Sequence, residues 1–265
     1  MTKNKEKQKG DDMNLYYELL KKPVFTVEDV SQYYKNLSSA QTAVKRLVKR
    51  NLAVKIRNNL YTCISGETDE PVANRFQIAC AIKKAAYLSH HTAMEYYGVA
   101  NQVFYDVYVS SEQSFLPFEF NGYYYRCLLS KSTKEIEEVR YSGGIRITSK
   151  ERTVIDSIKS IDKIAGIEEV ISNIEGMTRL KEDNLINSLS CYQNRFLYQK
   201  VGFLLKQYQR KFALSDEFFE LCKNEIGYSN RYLIKECIDG KYDKEWNLVI
   251  PRNIYQLKNG GFKHD

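Results

Sequence analysis

The stretch that decides the fold is Ser38–Cys63, SSAQTAVKRLVKRNLAVKIRNNLYTC. It carries six basic residues (Lys45, Arg46, Lys49, Arg50, Lys55, Arg57) and no Asp or Glu. From Ala40 to Val48 its apolar residues recur at helical spacing: Ala40, Ala43, Val44, Leu47, Val48. Thr42, Lys45, Arg46 and Lys49 form the opposite stripe, with Gln41 beside them. One face suits a core and the other presents cations and amide donors. Ser38 or Ser39 is the expected N-cap, and Asn51 the stop. After Asn51 the period changes to two. Val54 and Ile56 are expected on one face of a strand, Lys55 and Arg57 on the other. Arg57-Asn58-Asn59 then turns the chain into a second strand, Leu60–Ile64. A basic helix followed at once by a basic hairpin outlines a winged helix-turn-helix.

Charge is distributed unevenly around this stretch. Residues 1–66 hold 13 Lys+Arg against 6 Asp+Glu, and residues 67–265 hold 27 of each. The net +7 of the chain therefore sits in its first quarter. Such a concentration draws a polyanion, because each neutralised phosphate releases counterions. A solvated basic face is the plainer explanation, but such faces usually mix both signs.

Upstream, residues 1–11 are expected to form a disordered basic tail. Asp12 is placed to cap a helix over Met13–Lys22, stopped by Pro23. Thr26 and Asp29 form a capping box for a second short helix reaching Tyr34. Residues 12–66 thus have the size of a winged helix domain. The polar, turn-rich segment Ser65–Pro71 marks a boundary, and residues 72–265 form a second domain.

In that second domain, helices are expected over Asn74–Ala85 and from Ser89, as cap, to Gly98. Val103–Ser111 alternates as a strand. Asn121-Gly122 joins two aromatic runs, the strongest short hairpin signal. A further hairpin surrounds Ser142-Gly143-Gly144. The part from about 87 to 148 is therefore expected to be a mostly antiparallel sheet. Thr148-Ser149-Lys150-Glu151 is read as a T-x-x-E capping box that opens a helical part, about 149–240, including a helix over Asn230–Ile238. Trp246–Ile250 suggests a last strand. The fold class expected is α+β: a winged helix-turn-helix, then a mixed domain with a mostly antiparallel sheet and C-terminal helices.

Three segments, taken with the winged helix outline, resemble the AbiEi family of bacterial antitoxins and transcriptional regulators. They are Tyr87–Val99 (YLSHHTAMEYYGV), Gly144–Asp156 (GIRITSKERTVID) and Leu197–Gly227 (LYQKVGFLLKQYQRKFALSDEFFELCKNEIG). The resemblance implies a cytoplasmic protein of a type IV toxin–antitoxin, abortive-infection system of phage defence. Its N-terminal domain would bind inverted repeats in its own operon promoter and repress it. Its C-terminal domain would counteract a nucleotidyltransferase-like toxin without forming a stable complex.

The candidate DNA-binding residues are Ser39, Gln41, Thr42, Lys45, Arg46 and Lys49 on the helix, with Arg57, Asn58 and Asn59 at the wing tip. Gln pairs bidentately with adenine, so Gln41 and Thr42 are the expected base readers. The cations are expected on phosphates or a guanine edge. His90, His91, Glu95, Arg146, Arg152 and Asp156 are a candidate antitoxin surface. An alternative is that these groups form an enzyme site on a phosphate-bearing substrate; another is that the protein binds RNA. No nucleophile elbow, P-loop or dinucleotide fingerprint stands out. The pair His90-His91 lacks the H-E-x-x-H pattern, and the six cysteines have no zinc-finger spacing, so no cofactor or metal is expected. Tyr123-Tyr124-Tyr125 fits alternating strand packing better than base stacking. No apolar run reaches membrane length.

Overall fold

A computed structural model describes residues 2–164, 166–235, 237, 239–252 and 254. The chain forms a mixed α+β structure with several sheets.

The N-terminal unit comprises α1 (Thr2–Leu20), α2 (Val27–Ser31), α3 (Leu37–Lys49), β1 (Ala53–Arg57) and β2 (Leu60–Cys63). Leu15, Tyr16 and Leu19 of α1 pack on Val30 of α2 and on Ala40, Ala43, Val44 and Leu47 of α3. Helical spacing of small and branched residues on α3 thus places a continuous buried stripe against its neighbours. The Thr26–Asp29 capping box is present at the start of α2. Two expectations change. Helix α1 runs from Thr2, across the segment expected to be a tail, and Asp12 lies inside it rather than at its cap. Asn36 caps α3 in place of Ser38 or Ser39, its side chain accepting from Ser39 N at 2.8 Å. Asn51 ends α3 at φ 54°, the left-handed conformation that Asn tolerates.

The second unit begins with α4 (Arg75–Ala81), β3 (Tyr87–Leu88), α5 (His90–Tyr96), β4 (Asp106–Ser111), β5 (Phe118–Phe120), β6 (Tyr123–Leu129), β7 (Ile136–Glu138) and β8 (Arg146–Thr148). These strands make a six-stranded sheet in the order β5-β6-β4-β3-β8-β7. The Asn121-Gly122 turn pairs β5 and β6 antiparallel, as its sequence requires. Beyond it, β6 runs parallel to β4 over six residue pairs, and β3 is parallel to β8. Three of the five strand pairings are antiparallel and two are parallel, so the sheet is mixed. Alternation identifies strands, but the segment between β4 and β5 decides which edge the hairpin joins.

The helical part contains α6 (Lys150–Lys159), α7 (Ile161–Ile164), α8 (Gly166–Gly176), α9 (Glu182–Ser190), α10 (Arg195–Lys206), α11 (Gln209–Phe212) and α12 (Asp216–Asn224). A small sheet follows: β9 (Arg231–Tyr232), β10 (Gly240–Asp243) and β11 (Leu248–Pro251), in the order β10-β11-β9. The expected helix over Asn230–Ile238 is not formed by the described residues there; Glu236 and Ile238 lie outside them. Arg231–Tyr232 pairs with Leu248–Val249 instead, and Leu233 and Trp246 enter the helical core. Ser149, not Thr148, caps α6, accepting from Arg152 N at 3.2 Å. Glu151 closes no box there; its carboxylate accepts from Lys181 N at 2.6 Å and ties α6 to the start of α9.

The expected boundary is a fastened turn. Val72 N donates to Cys63 O at 2.9 Å, and Ala73 N to Thr62 Oγ1 at 3.1 Å. Val24, Ile56 and Leu60 of the N-terminal unit share one apolar cluster with Ile78, Val107 and Phe115 of the second. The hairpin therefore has its back against the sheet unit.

Candidate nucleic-acid interface

Helix α3 has 13 residues, so at 1.5 Å per residue it is about 20 Å long. Ser38, Gln41, Thr42, Lys45 and Lys49 are exposed along it, opposite the buried Ala40, Ala43, Val44 and Leu47. The exposed set spans three turns and contains three amide or hydroxyl side chains followed by two ammonium groups. Thr42 Oγ1 donates to Ser38 O at 2.9 Å, leaving its lone pairs outward. Ser39 is half-buried beside the cap.

The structure removes three candidates from that open face. Arg46 donates Nε and Nη2 to Asp12 Oδ1 at 3.0 and 2.9 Å, and Arg50 Nη1 reaches Asp12 Oδ2 at 3.1 Å. Asp12 is buried, and its hydrogen bond raises the Arg46 guanidinium above its ordinary value. Arg46 thus clamps α1 to α3. Arg57 is turned inward: its guanidinium carbon lies 4.8 Å from the centre of the Phe118 ring and 5.6 Å from that of Phe115. The reason is a bulge between Lys55 and Arg57, which breaks the alternation assumed for β1. Lys55 stays exposed and replaces Arg57 as the outward cation of the strand. Asn59, at φ 55°, accepts from Val27 N at 3.1 Å and donates to Glu28 at 2.6 Å, pinning the turn to the start of α2. Asn58 stays exposed at the tip. The residues brought into the open are Gln41, Thr42, Lys45, Lys49, Lys55 and Asn58.

The candidate antitoxin surface is not a surface. His90, His91, Arg152 and Asp156 are buried, and Arg146 and Glu95 are partly covered. His90 and His91 are consecutive on α5, about 100° apart, and face different neighbours. His90 Nδ1 meets Ser89 Oγ at 2.8 Å and its Nε2 meets Ser160 Oγ at 3.3 Å. Ser89, the expected cap of α5, instead bonds Ser110 Oγ at 2.7 Å and makes no side-chain cap. Burial pushes the His90 imidazole down to about 4, with Asp156 opposing and Lys159 and Arg152 assisting. His91 Nε2 lies 3.2 Å from Glu169 Oε1, its ring against Phe104, and burial lowers it too. Glu95 accepts from Phe104 N at 2.9 Å and faces Arg75 at 3.4 Å; burial raises its carboxyl.

Arg152 donates to Asp156 Oδ1 at 3.0 Å, Lys134 O at 2.8 Å and Tyr192 OH at 3.2 Å. Burial favours the neutral guanidine, but Asp156 and the facing tyrosines override it and raise Arg152 above its ordinary value. Arg146 donates to Ala86 O at 2.9 Å and Cys80 O at 2.7 Å, closing the end of α4. The six residues fall into two internal clusters, His90 with Arg152 and Asp156, and His91 with Glu95 beside Arg75 and Glu169, while Arg146 stands apart at the end of α4. Among the described residues no group of three or more His, Cys, Asp or Glu is placed to hold a metal, and no helix is long and apolar enough to cross a membrane.

No family model and no curated protein matches the chain. Its fold is similar to that in the crystal structure of the RV2827C protein from Mycobacterium tuberculosis, with a TM-score of 0.62 over 92% of each chain. At 12% identity the similarity is one of fold.

Proposed function

We propose that residues 12–66 are a winged helix that binds double-stranded DNA in a sequence-selective way, with α3 in the major groove and the β1–β2 turn beside the backbone. The observation that carries this reading is the exposed row Gln41, Thr42, Lys45 and Lys49 on a helix whose opposite stripe, Ala40, Ala43, Val44 and Leu47, is buried. Its order matters. Amide and hydroxyl groups near the N-terminus reach base edges, and ammonium groups further along reach phosphates. Lys55 and Asn58 contribute from the hairpin.

The biological setting we propose follows the AbiEi-like segments: a cytoplasmic repressor of its own operon that acts on inverted repeats, and an antitoxin to a nucleotidyltransferase-like toxin. The antitoxin activity would belong to the second unit. Because His90, His91, Arg152 and Asp156 are internal, it must use other residues of that unit's exterior.

The test is fluorescence anisotropy of the full chain on duplex from its own upstream region, with scrambled duplex and tRNA as competitors. Selective competition by the upstream duplex supports the reading. Preferential competition by tRNA would replace it with the RNA-binding alternative.

A further inference from the structure

A cleft of about 420 Å³ opens at the N-terminal end of α10, remote in sequence from the basic helix. Residues 193–196, Gln199 and residues 227–229 and 231 line it. Its size is in the range that holds a small molecule. Three independent features set its chemistry. First, α10 has 12 residues, and the start of a helix that long carries partial positive charge, with Asn194 accepting from Phe196 N through its side chain and from Leu197 N through its carbonyl. Second, Arg195 and Arg231 are exposed at the cleft, and neither has an ion pair with a described residue. Arg231 stands over the Phe196 ring at 5.9 Å, and both line the cleft, which holds its charge on that wall.

Third, Gln199 is 2% exposed, yet its Nε2 has no hydrogen-bond partner. A buried amide left without an acceptor costs free energy, so native proteins rarely keep one. Here the unmatched donor lies one turn into the helix, in the wall of a cleft bounded by two guanidinium groups. The exposed ring of Tyr228 stands at the rim, where a planar heterocycle can lie against it.

The geometry points to a binding site for a nucleoside monophosphate, its phosphate held by Arg195 and Arg231 over the start of α10 and its sugar or base accepting from Gln199. The cationic groups supply affinity for phosphate, and the buried donor with the rim tyrosine supplies preference for a nucleotide over the bare anion.

The test is isothermal titration calorimetry of the full chain with AMP, UMP and inorganic phosphate. At least one nucleotide should saturate with Kd at or below about 1 mM, more tightly than phosphate. Replacing both exposed arginines (Arg195→Ala with Arg231→Ala) should weaken that binding about tenfold or more without lowering the melting temperature. Gln199→Leu should weaken it as well, and should leave the free protein equally or more stable, because it removes an unmatched buried donor. Absence of saturation by either nucleotide, equal affinity for phosphate alone, or unchanged affinity in the double-arginine variant would overturn the assignment. The double variant should keep the wild-type affinity for duplex DNA; a loss there would show that the cleft belongs to the DNA interface instead.

Discussion

Lys49 stands exposed in the last turn of α3 while Arg46, one turn earlier, is held by Asp12. Their substitutions should therefore differ. Lys49→Ala should weaken binding to every duplex and lower the slope of log affinity against log salt by roughly one, measured by anisotropy over a salt series. Gln41→Ala should relax preference at one base pair and leave the salt slope alone. Arg46→Ala should act first on stability, because it uncovers Asp12. The buried pair Arg152–Asp156 makes the same point without DNA. Arg152→Ala strands a carboxylate that is 1% exposed, and urea unfolding should show a loss of about 3–5 kcal/mol. Replacing both residues by apolar ones should cost less.

The histidines add a pH dependence. Unfolded, His90 takes up a proton near 6.5; folded, only near 4. Between those values the unfolded chain binds more protons, so the contribution is complete above 6.5 and is lost as pH falls toward 4. His91, also lowered by burial, acts with the same sign. His90→Gln should make the decline in stability between pH 6.5 and 5 shallower, by no more than about 1.4 kcal/mol per pH unit.

At the scale of elements, Gly202 shows how tightly the helical part is assembled. A Cβ there would lie 1.9 Å from the Trp246 ring, so α10 accepts the indole only because position 202 has no side chain. Gly202→Ala should lower the thermal midpoint by more than the few degrees of an ordinary surface change, since overpacking costs about 1–3 kcal/mol or more. Local signals such as the apolar period of α3, the Thr26–Asp29 box and Asn121-Gly122 were legible in the sequence, because each depends on residues a few positions apart. What escaped it depends on distant partners. The β1 bulge turns Arg57 toward Phe115 and Phe118, which lie some 60 residues on. The pairing of Arg231–Tyr232 with β11 overrides helical propensity. Glu151 leaves its expected box for Lys181 N. The exposed cations of α3 were legible, but the reservation of Arg46 required knowing that Asp12 would be buried beside it. The six residues of the second unit were legible as unusual but not as internal, since spacing alone does not report burial.

For the whole molecule, the consequence is that the two units are one assembly. Val24, Ile56 and Leu60 are covered by the sheet unit, and burying each aliphatic side chain contributes about 1.5–3 kcal/mol against a typical total stability of about 5–15 kcal/mol. A chain ending at Gly66 should therefore lack the cooperative thermal transition of the full protein. A sharp transition at the full protein's midpoint would show the units to be independent. This coupling gives the second unit a direct hold on the β1–β2 hairpin, since Arg57 rests on Phe118 while the next residue, Asn58, faces outward.

The most direct test of the central claim is the affinity of the full chain for duplex from its own upstream region against scrambled duplex, at about 150 mM salt, where weak surface attraction is screened. The exposed face of α3 predicts tighter binding to the upstream duplex by about a thousandfold or more, reduced by Gln41→Ala. Equal affinity for the two duplexes, with Gln41→Ala indistinguishable from the native chain, would contradict it.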